Sequence, residues 1–337
     1  DDKMIELQKN FYADIAKNGI TSTTNMSVNP VLESSFKEFE IAAELEKEGE
    51  LTVRLHLYPS LGLDPDFETV KELREKYSSE KLRVSGLKQF VDGVTSTYTA
   101  YMLEPYSDNA DTRGFSNYPA ELYEKMVAAA NKEGFAVRLH CIGDAAVRLT
   151  LDAFEKSNRQ NDNRHLRNTI EHIESIHEDD IPRFAELGVI ASMQPIHLIL
   201  DVNEKVSRIG EDRCKYEWPF KTLLKNHATL AFGTDFPVAN INPFPNIHAA
   251  VTRYDEAGKL VGTNPEERIS LAETLKAYTY GSACAINRES ELGTLEAGKL
   301  ADIVVLDRNL FAVSEADTPE TSVALTVMDG QIVYKAE

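Results

Sequence analysis

Short runs rich in β-branched and aliphatic residues alternate along this chain with longer segments whose apolar positions recur at three- and four-residue steps. The first pattern predicts strands at 19–25 (GITSTTN), 52–58 (TVRLHLY), 86–91 (GLKQFV), 135–140 (FAVRLH), 168–172 (NTIEH), 189–193 (VIASM) and 229–233 (TLAFG). The second predicts helices over 36–48, 67–77, 120–133, 145–156 and 179–187. A βα unit that repeats in this way builds a parallel sheet covered by crossover helices. A closed barrel of the kind needs eight strands, and the segment ahead of Gly19, IELQKNFYADIAKN, reads as a helix. The expectation is therefore an α/β fold, a TIM (β/α)8-type barrel missing its first strand, over residues 1–290. A last helix over 271–286 leads into GTLEAGKLADIVVLDRN and ALTVMDGQIVYKAE, whose turn signals at Ala297-Gly298 and Asp329-Gly330 predict a small all-β subdomain over 291–337.

Composition narrows the partners. Of 337 residues, 42% are hydrophobic and 27% charged, enough to build a core and to exclude wholesale disorder. Thirty-six basic against 55 acidic side chains give a net charge of −19, which opposes binding to nucleic acid or anionic lipid and favours a small-molecule partner. No apolar run approaches the roughly 20 residues a membrane span needs, and the opening DDKMIELQKNFY lacks the basic start and apolar stretch of a signal peptide. Cys141, Cys214 and Cys284 are widely spaced, without any CxxC. A soluble protein of a reducing compartment, the cytoplasm by default, is expected.

Catalytic groups of βα barrels sit at the carboxyl ends of strands. That filter selects His140, which ends FAVRLH; His172, which ends NTIEH; and Asp235, just beyond TLAFGT. Lys88 lies inside the third predicted strand, where an ammonium needs a special reason. Each has an ordinary alternative: a hydrogen-bonded strand-end histidine, a polar barrel edge, turn chemistry before Phe-Pro, a lysine reaching out to solvent. Two imidazoles and a carboxylate at one barrel mouth match a catalytic zinc site with a position left open for water. A buried lysine can be neutral and nucleophilic.

With GITSTTN, LKQFVDGVTSTYTA, LHCIGDAAV, IEHIES, ASMQPIH, FGTDFPV and the closing LAETLKAYTYGSACAINRESELGTLEAGKLADIVVLD in place, the chain resembles the metal-dependent amidohydrolase superfamily. Within it, the similarity is to the YtcJ-like group related to N-substituted formamide deformylases. The spacing of Gly293, Gly298, Lys299, Ala301 and Asp302 resembles the stretch where the family chain leaves the barrel for its β-sandwich, so the tail is expected to be part of one. By the same resemblance Lys88 is the lysine carboxylated to a carbamate that bridges two metal ions, His140 and His172 are ligands from the fifth and sixth strands, and Asp235 binds metal and shuttles a proton. The implied cofactor is a divalent metal, Zn2+, as one or two ions. The implied function is hydrolysis of a non-peptide carbon–nitrogen bond, in an amide, formamide or cyclic amide, by metal-activated water.

The family pattern also carries a His-x-His pair at the end of its first strand, and this sequence contains none. The chain is thus expected to be a fragment whose second metal site is incomplete, with strand edges that favour a homo-oligomer. An inactive, amidohydrolase-like binding or regulatory module is the competing expectation. Among secondary candidates, His197 and Gln194 are expected to face the substrate, His197 against the alternative of a structural loop histidine. Asp92 and Gly93 are expected to shape a loop, Asp144 to cap a helix, and Cys141 to point away from the metal. Tyr98, Tyr101 and Tyr106 either line the pocket or pack. His56, His165, His177, His227 and His248 show no convergent partners and are read as structural or exposed.

Overall fold

A computed structural model of the chain describes residues 2–28, 36–255 and 257–337. Two parallel sheets carry the alternating pattern. The first contains β1 (Ser22–Val28), β2 (Arg54–Pro59) and β3 (Leu82–Val84), in that order. The second runs β4 (Leu87–Phe90), β5 (Val137–Cys141), β6 (Thr169–His172), β7 (Ile190–Met193) and β8 (Thr229–Phe232). Only Ser85 and Gly86 separate β3 from β4. Across that break, Ser60, just past β2, forms an isolated parallel bridge with Lys88 of β4. Gly86 is required there, because a Cβ would stand 2.6 Å from the Ala136 carbonyl oxygen. Strands β2, β5, β6 and β7 are buried along their whole length, as expected of parallel strands covered on both faces. Among the described residues no pairing joins β1 to β8.

The helices follow the predicted amphipathic segments closely: α1 (Asp2–Lys17), α2 (Lys37–Lys47), α3 (Phe67–Lys76), α4 (Ala120–Lys132) and α5 (Asp144–Asn161). The segment 179–187 contracts to α6 (Arg183–Leu187), since Pro182 stands at its N-cap and a 3-10 turn covers Glu178–Asp180. Two elements are new. β3 is three residues long, too short to show a period. The stretch after β7 is not a loop but the 15-residue helix α7 (Pro195–Ile209), with Pro195 in its first turn, where the missing N–H costs nothing. Shorter helices α8 (Phe220–Lys225), α9 (Phe244–Thr252) and α10 (Leu271–Lys276) follow. The expected helix over 271–286 is broken after α10 by a π-helical turn at Ala277–Gly281. Gly281 there lies so close to β8 that a Cβ would be 1.8 Å from the Leu230 carbonyl oxygen.

The tail forms an antiparallel sheet in the order β11-β10-β9, from β9 (Ile303–Leu306), β10 (Val323–Met328) and β11 (Gln331–Lys335). Asp329 and Gly330 close the β10–β11 hairpin, both with positive φ (54° and 74°), the backbone of a two-residue I′ turn. Arg54, fully buried in β2, ties this sheet to the parallel one: its Nε and Nη2 donate to Asp302 Oδ2 (3.1 Å) and Oδ1 (2.8 Å). Asp302 Oδ1 also accepts from the Asp329 backbone N–H at 2.9 Å. No helix among the described residues is long and apolar enough to cross a membrane.

Candidate metal centre

A cavity of about 1570 Å3 opens at the carboxyl ends of β4 to β8. All six residues singled out from sequence line it: Lys88, His140, His172, Gln194, His197 and Asp235. The fold brings them there from β4 to β8: Lys88 lies within β4, His140 and His172 lie at or near the ends of β5 and β6, and Gln194, His197 and Asp235 lie just beyond β7 and β8.

Lys88 is buried within β4, with its Nζ 5.2 Å from the Phe90 ring centroid. Burial lowers its pKa below the usual lysine range, which favours the neutral amine. His140, near the end of β5, points its Nε2 at the Gly93 carbonyl oxygen (3.1 Å), with Asp92 Oδ1 at 3.8 Å. A carbonyl only accepts, so Nε2 carries the proton and the lone pair lies on Nδ1. Burial and the neighbouring Lys88 bring the pKa of His140 down to about 4. Asp92 anchors the loop below it, accepting backbone N–H groups from Ile142 (3.0 Å), Gly143 (2.9 Å) and Tyr101 (2.8 Å).

His172 ends β6 with φ 79°, and Ile173 follows at 51°. Its Nδ1 is 2.8 Å from Gln194 Oε1, an acceptor, which leaves the lone pair on Nε2. Gln194 Nε2 in turn lies 3.5 Å from Glu171 Oε2, and Glu171 Oε1 pairs with Arg138 Nη1 at 2.9 Å. His197 stands in the first turn of α7, buried, with Nε2 lacking any hydrogen-bond partner. Asp235 follows β8 with φ 56°, and its Oδ2 lies 3.7 Å from His197 Nε2. Partial burial raises its pKa, an effect that His197 opposes.

His172, His197 and Asp235 offer one ligand atom each, and these atoms all lie within 4.8 Å of one another. Two imidazoles and a carboxylate, one imidazole nitrogen buried and without a hydrogen-bond partner, form a donor set that suits a divalent cation. His140 stands beside this trio, its ring centroid 4.4 Å from that of His172, but is not a member of it. His197 and Gln194, expected to face substrate, are placed differently from one another: Gln194 holds His172, and His197 completes the trio.

Several neighbours escaped the sequence reading. His56, read as having no partners, is buried in the cavity wall, with Nδ1 2.7 Å from Ser85 Oγ and Nε2 unpartnered. Burial, with Arg288, Arg138, Arg83 and Arg54 nearby, holds its pKa well below 6.5. The two-residue step from His140 back to Arg138 places the guanidinium on the same strand face, a signal the sequence did carry. Glu174 and Lys205, both buried behind His197, gave none. Asp144 does not cap α5: Gly143 is the N-cap, and Asp144 Oδ1 accepts from the Leu103 N–H at 2.8 Å. Cys141 turns away from the site, as expected, its Sγ 3.0 Å from Thr150 Oγ1 on α5. Tyr106 packs, its hydroxyl donating to the Ala100 carbonyl oxygen at 2.9 Å.

The sequence profile of the amidohydrolase family matches residues 1–334. Protein LONG AFTER FAR-RED 3 of Arabidopsis thaliana is 36% identical over 261 residues, 76% of this chain and 44% of the relative. Putative amidohydrolase YtcJ of Bacillus subtilis is 32% identical over 267 residues, 78% of this chain and 50% of the relative. N-substituted formamide deformylase of Arthrobacter pascens is 29% identical over 272 residues, 80% and 48% of the two chains. The chain thus spans about half the length of the curated relatives it matches. Among solved structures, an uncharacterized metal-dependent hydrolase from Pyrococcus horikoshii superposes with a TM-score of 0.79 at 30% identity, covering 94% of this chain and 62% of that one. With a TIM-barrel-like α/β fold and this match from end to end, the chain belongs to the metal-dependent amidohydrolase superfamily, in its YtcJ-like group.

Proposed function

We propose that this chain carries the metal-binding core of an enzyme that hydrolyses a non-peptide carbon–nitrogen bond in a small amide, formamide or cyclic amide. The observation that carries the reading is the meeting of His172, His197 and Asp235 within 4.8 Å of one another at the floor of one cavity. The kinship with an N-substituted formamide deformylase supports the substrate class. With β3 and β4 taken as one strand broken at Ser85 and Gly86, the two parallel sheets are read as seven strands of one (β/α)8-type barrel.

His172, His197 and Asp235 would hold the cation, with Lys88 and His140, which line the same cavity, as further candidate ligands. Lys88, buried and tending to the neutral amine, would react with carbon dioxide to form a carbamate and release one proton. The chemistry that a divalent ion held there, zinc by its donor set, would supply is an activated water and a polarised scissile carbonyl. Asp235 takes the proton from the attacking water and returns it to the departing nitrogen, because its carboxylate is the one that reaches both the donor trio and open solvent. The Arg138–Glu171–Gln194 chain keeps His172 in a single tautomer while this proton moves. A cytoplasmic location belongs to the same reading, supported by three buried, unpaired cysteines.

The test is turnover of N-formyl and N-acyl amines by zinc-supplemented protein. Asp235→Asn is expected to lower kcat by about 100-fold or more, the usual share of a general base. Protein that takes up no divalent ion, or an Asp235→Asn variant as fast as wild type, would remove the proposal in favour of a binding or regulatory module.

A further inference from the structure

Beside the donor trio a second chain of buried charge runs from the cavity wall into the interior. His197 Nδ1 stands 3.8 Å from Glu174 Oε1, and Glu174 Oε2 stands 3.3 Å from Lys205 Nζ. Glu174 and Lys205 are 2% and 0% exposed. The Lys205 ammonium also lies 4.1 Å from the centroid of the fully buried Trp218 ring, whose residue donates its backbone N–H to the Glu174 carbonyl oxygen at 3.1 Å. Charges this deep are retained only when paired. Trp218 and Lys205 therefore fix where the Glu174 carboxylate sits, buried in the cavity wall beside Nδ1 of His197, the ring nitrogen that Asp235 does not approach.

We infer that Glu174, held by Lys205, is a positioning residue: it keeps the proton of neutral His197 on Nδ1 and so presents the Nε2 lone pair to a cation shared with His172 and Asp235. A neutral imidazole has one donor and one acceptor nitrogen, and the hydrogen bond made by one decides the role of the other. Two carboxylates compete for the proton, since Asp235 Oδ2 lies 3.7 Å from Nε2. The Asp235 side chain, however, is 38% exposed and can meet its needs from water, whereas Glu174, in the cavity wall, is only 2% exposed. His172 repeats the arrangement, with its Nδ1 engaged by Gln194, which in turn rests on Glu171 and Arg138. Two imidazoles thus turn the same nitrogen toward the cavity, each backed by a buried carboxylate and a buried cation. Outer-shell partners of this kind set ligand tautomer and basicity.

The inference rests on the metal-centre reading above, so the experiment separates the two. Nitrogen-15 spectra of the imidazoles in metal-free protein report the His197 tautomer, and zinc affinity is measured by competition with a chromophoric chelator. Wild type should show His197 protonated at Nδ1. In Glu174→Leu, which leaves no acceptor, the proton should move wholly or partly to Nε2, and zinc affinity should fall about 10- to 100-fold. Lys205→Arg should keep wild-type behaviour where Lys205→Met does not. Should Glu174→Leu fail to fold around an unpaired ammonium, Glu174→Leu/Lys205→Met removes both charges and gives the same comparison. A His197 protonated at Nε2 in wild type, or a tautomer indifferent to these substitutions, overturns the inference, and zinc binding by such a protein leaves the metal-centre reading standing. Wild-type protein that binds no zinc, yet whose His197 proton follows Glu174, sinks the metal-centre reading and upholds the positioning role.

Discussion

His56 shows what burial does to a single side chain. With its ring enclosed and four arginines near, its pKa is held well below 6.5. Above that pH the imidazole is neutral in both states and contributes no slope. Below it the unfolded chain takes up a proton that the folded chain refuses, so folding stability falls as the pH drops toward the depressed folded value. His56→Gln is expected to remove this share: between pH 6.5 and 5, the urea-derived stability of the variant should fall less steeply than that of wild type by up to about 1.4 kcal/mol per pH unit. Parallel slopes would contradict the assignment. Arg138 makes the complementary case. Its pair with Glu171 has side chains only 4% and 6% exposed, so Arg138→Met leaves a buried carboxylate without its guanidinium partner and should cost about 3–5 kcal/mol. Arg159, paired with Glu155 on an exposed helix face, should cost no more than about 0.5 kcal/mol when replaced by Ala. Equilibrium denaturation measures both.

At the scale of elements, the site depends on where strands stop and what holds their ends. β8 delivers Asp235, and the π-helical turn that follows α10 presses Gly281 onto β8 backbone. Backbone cannot yield as a flexible side chain does, so Gly281→Ala should destabilise by about 1–3 kcal/mol, the cost of overpacking. It should also weaken zinc binding by shifting Asp235. Gly62, around which a Cβ would meet nothing within 4 Å, is the control, and Gly62→Ala should stay within about 0.5 kcal/mol. Thermal melts and chelator competition on the two variants check this. Helix α7 matters for a different reason: its first turn carries His197 and its third carries Lys205, so a single rigid element supplies both ends of the buried relay.

Across the whole molecule, Asp302 clamps the antiparallel tail to the parallel sheet through Arg54. Hydrogen bonds to charged groups contribute about 1.5–3 kcal/mol each. Asp302→Ala should therefore speed amide exchange in β9 and β10 at least about tenfold while β5 to β7 stay protected. Equal protection in the variant would show that the clamp is dispensable. The stretch GKLADIVVLD, whose resemblance to the family rests on its glycine, lysine and aspartate, thus has a physical reason for its aspartate. Its lysine has one too, since Lys299 Nζ donates to the Glu289 carbonyl oxygen at 2.6 Å.

What the sequence determined alone was local. Periods of two and of three to four placed seven strands and most helices within a few residues, because a repeating apolar face is needed wherever an element packs. Dipeptides such as Asp329-Gly330 marked a turn, because few residues tolerate positive φ. Strand-end position selected His140, His172 and Asp235, an ammonium inside a strand selected Lys88, and all four line one cavity. Tertiary structure alone decided which side chains meet. It put His197, rather than His140, within reach of both His172 and Asp235, turned an apparent loop into α7, buried His56, and stacked Lys205 on Trp218 behind Glu174. Those outcomes depend on distances across the fold between residues far apart in the chain, and on which charges are left dry together; no periodicity along one strand or helix encodes either.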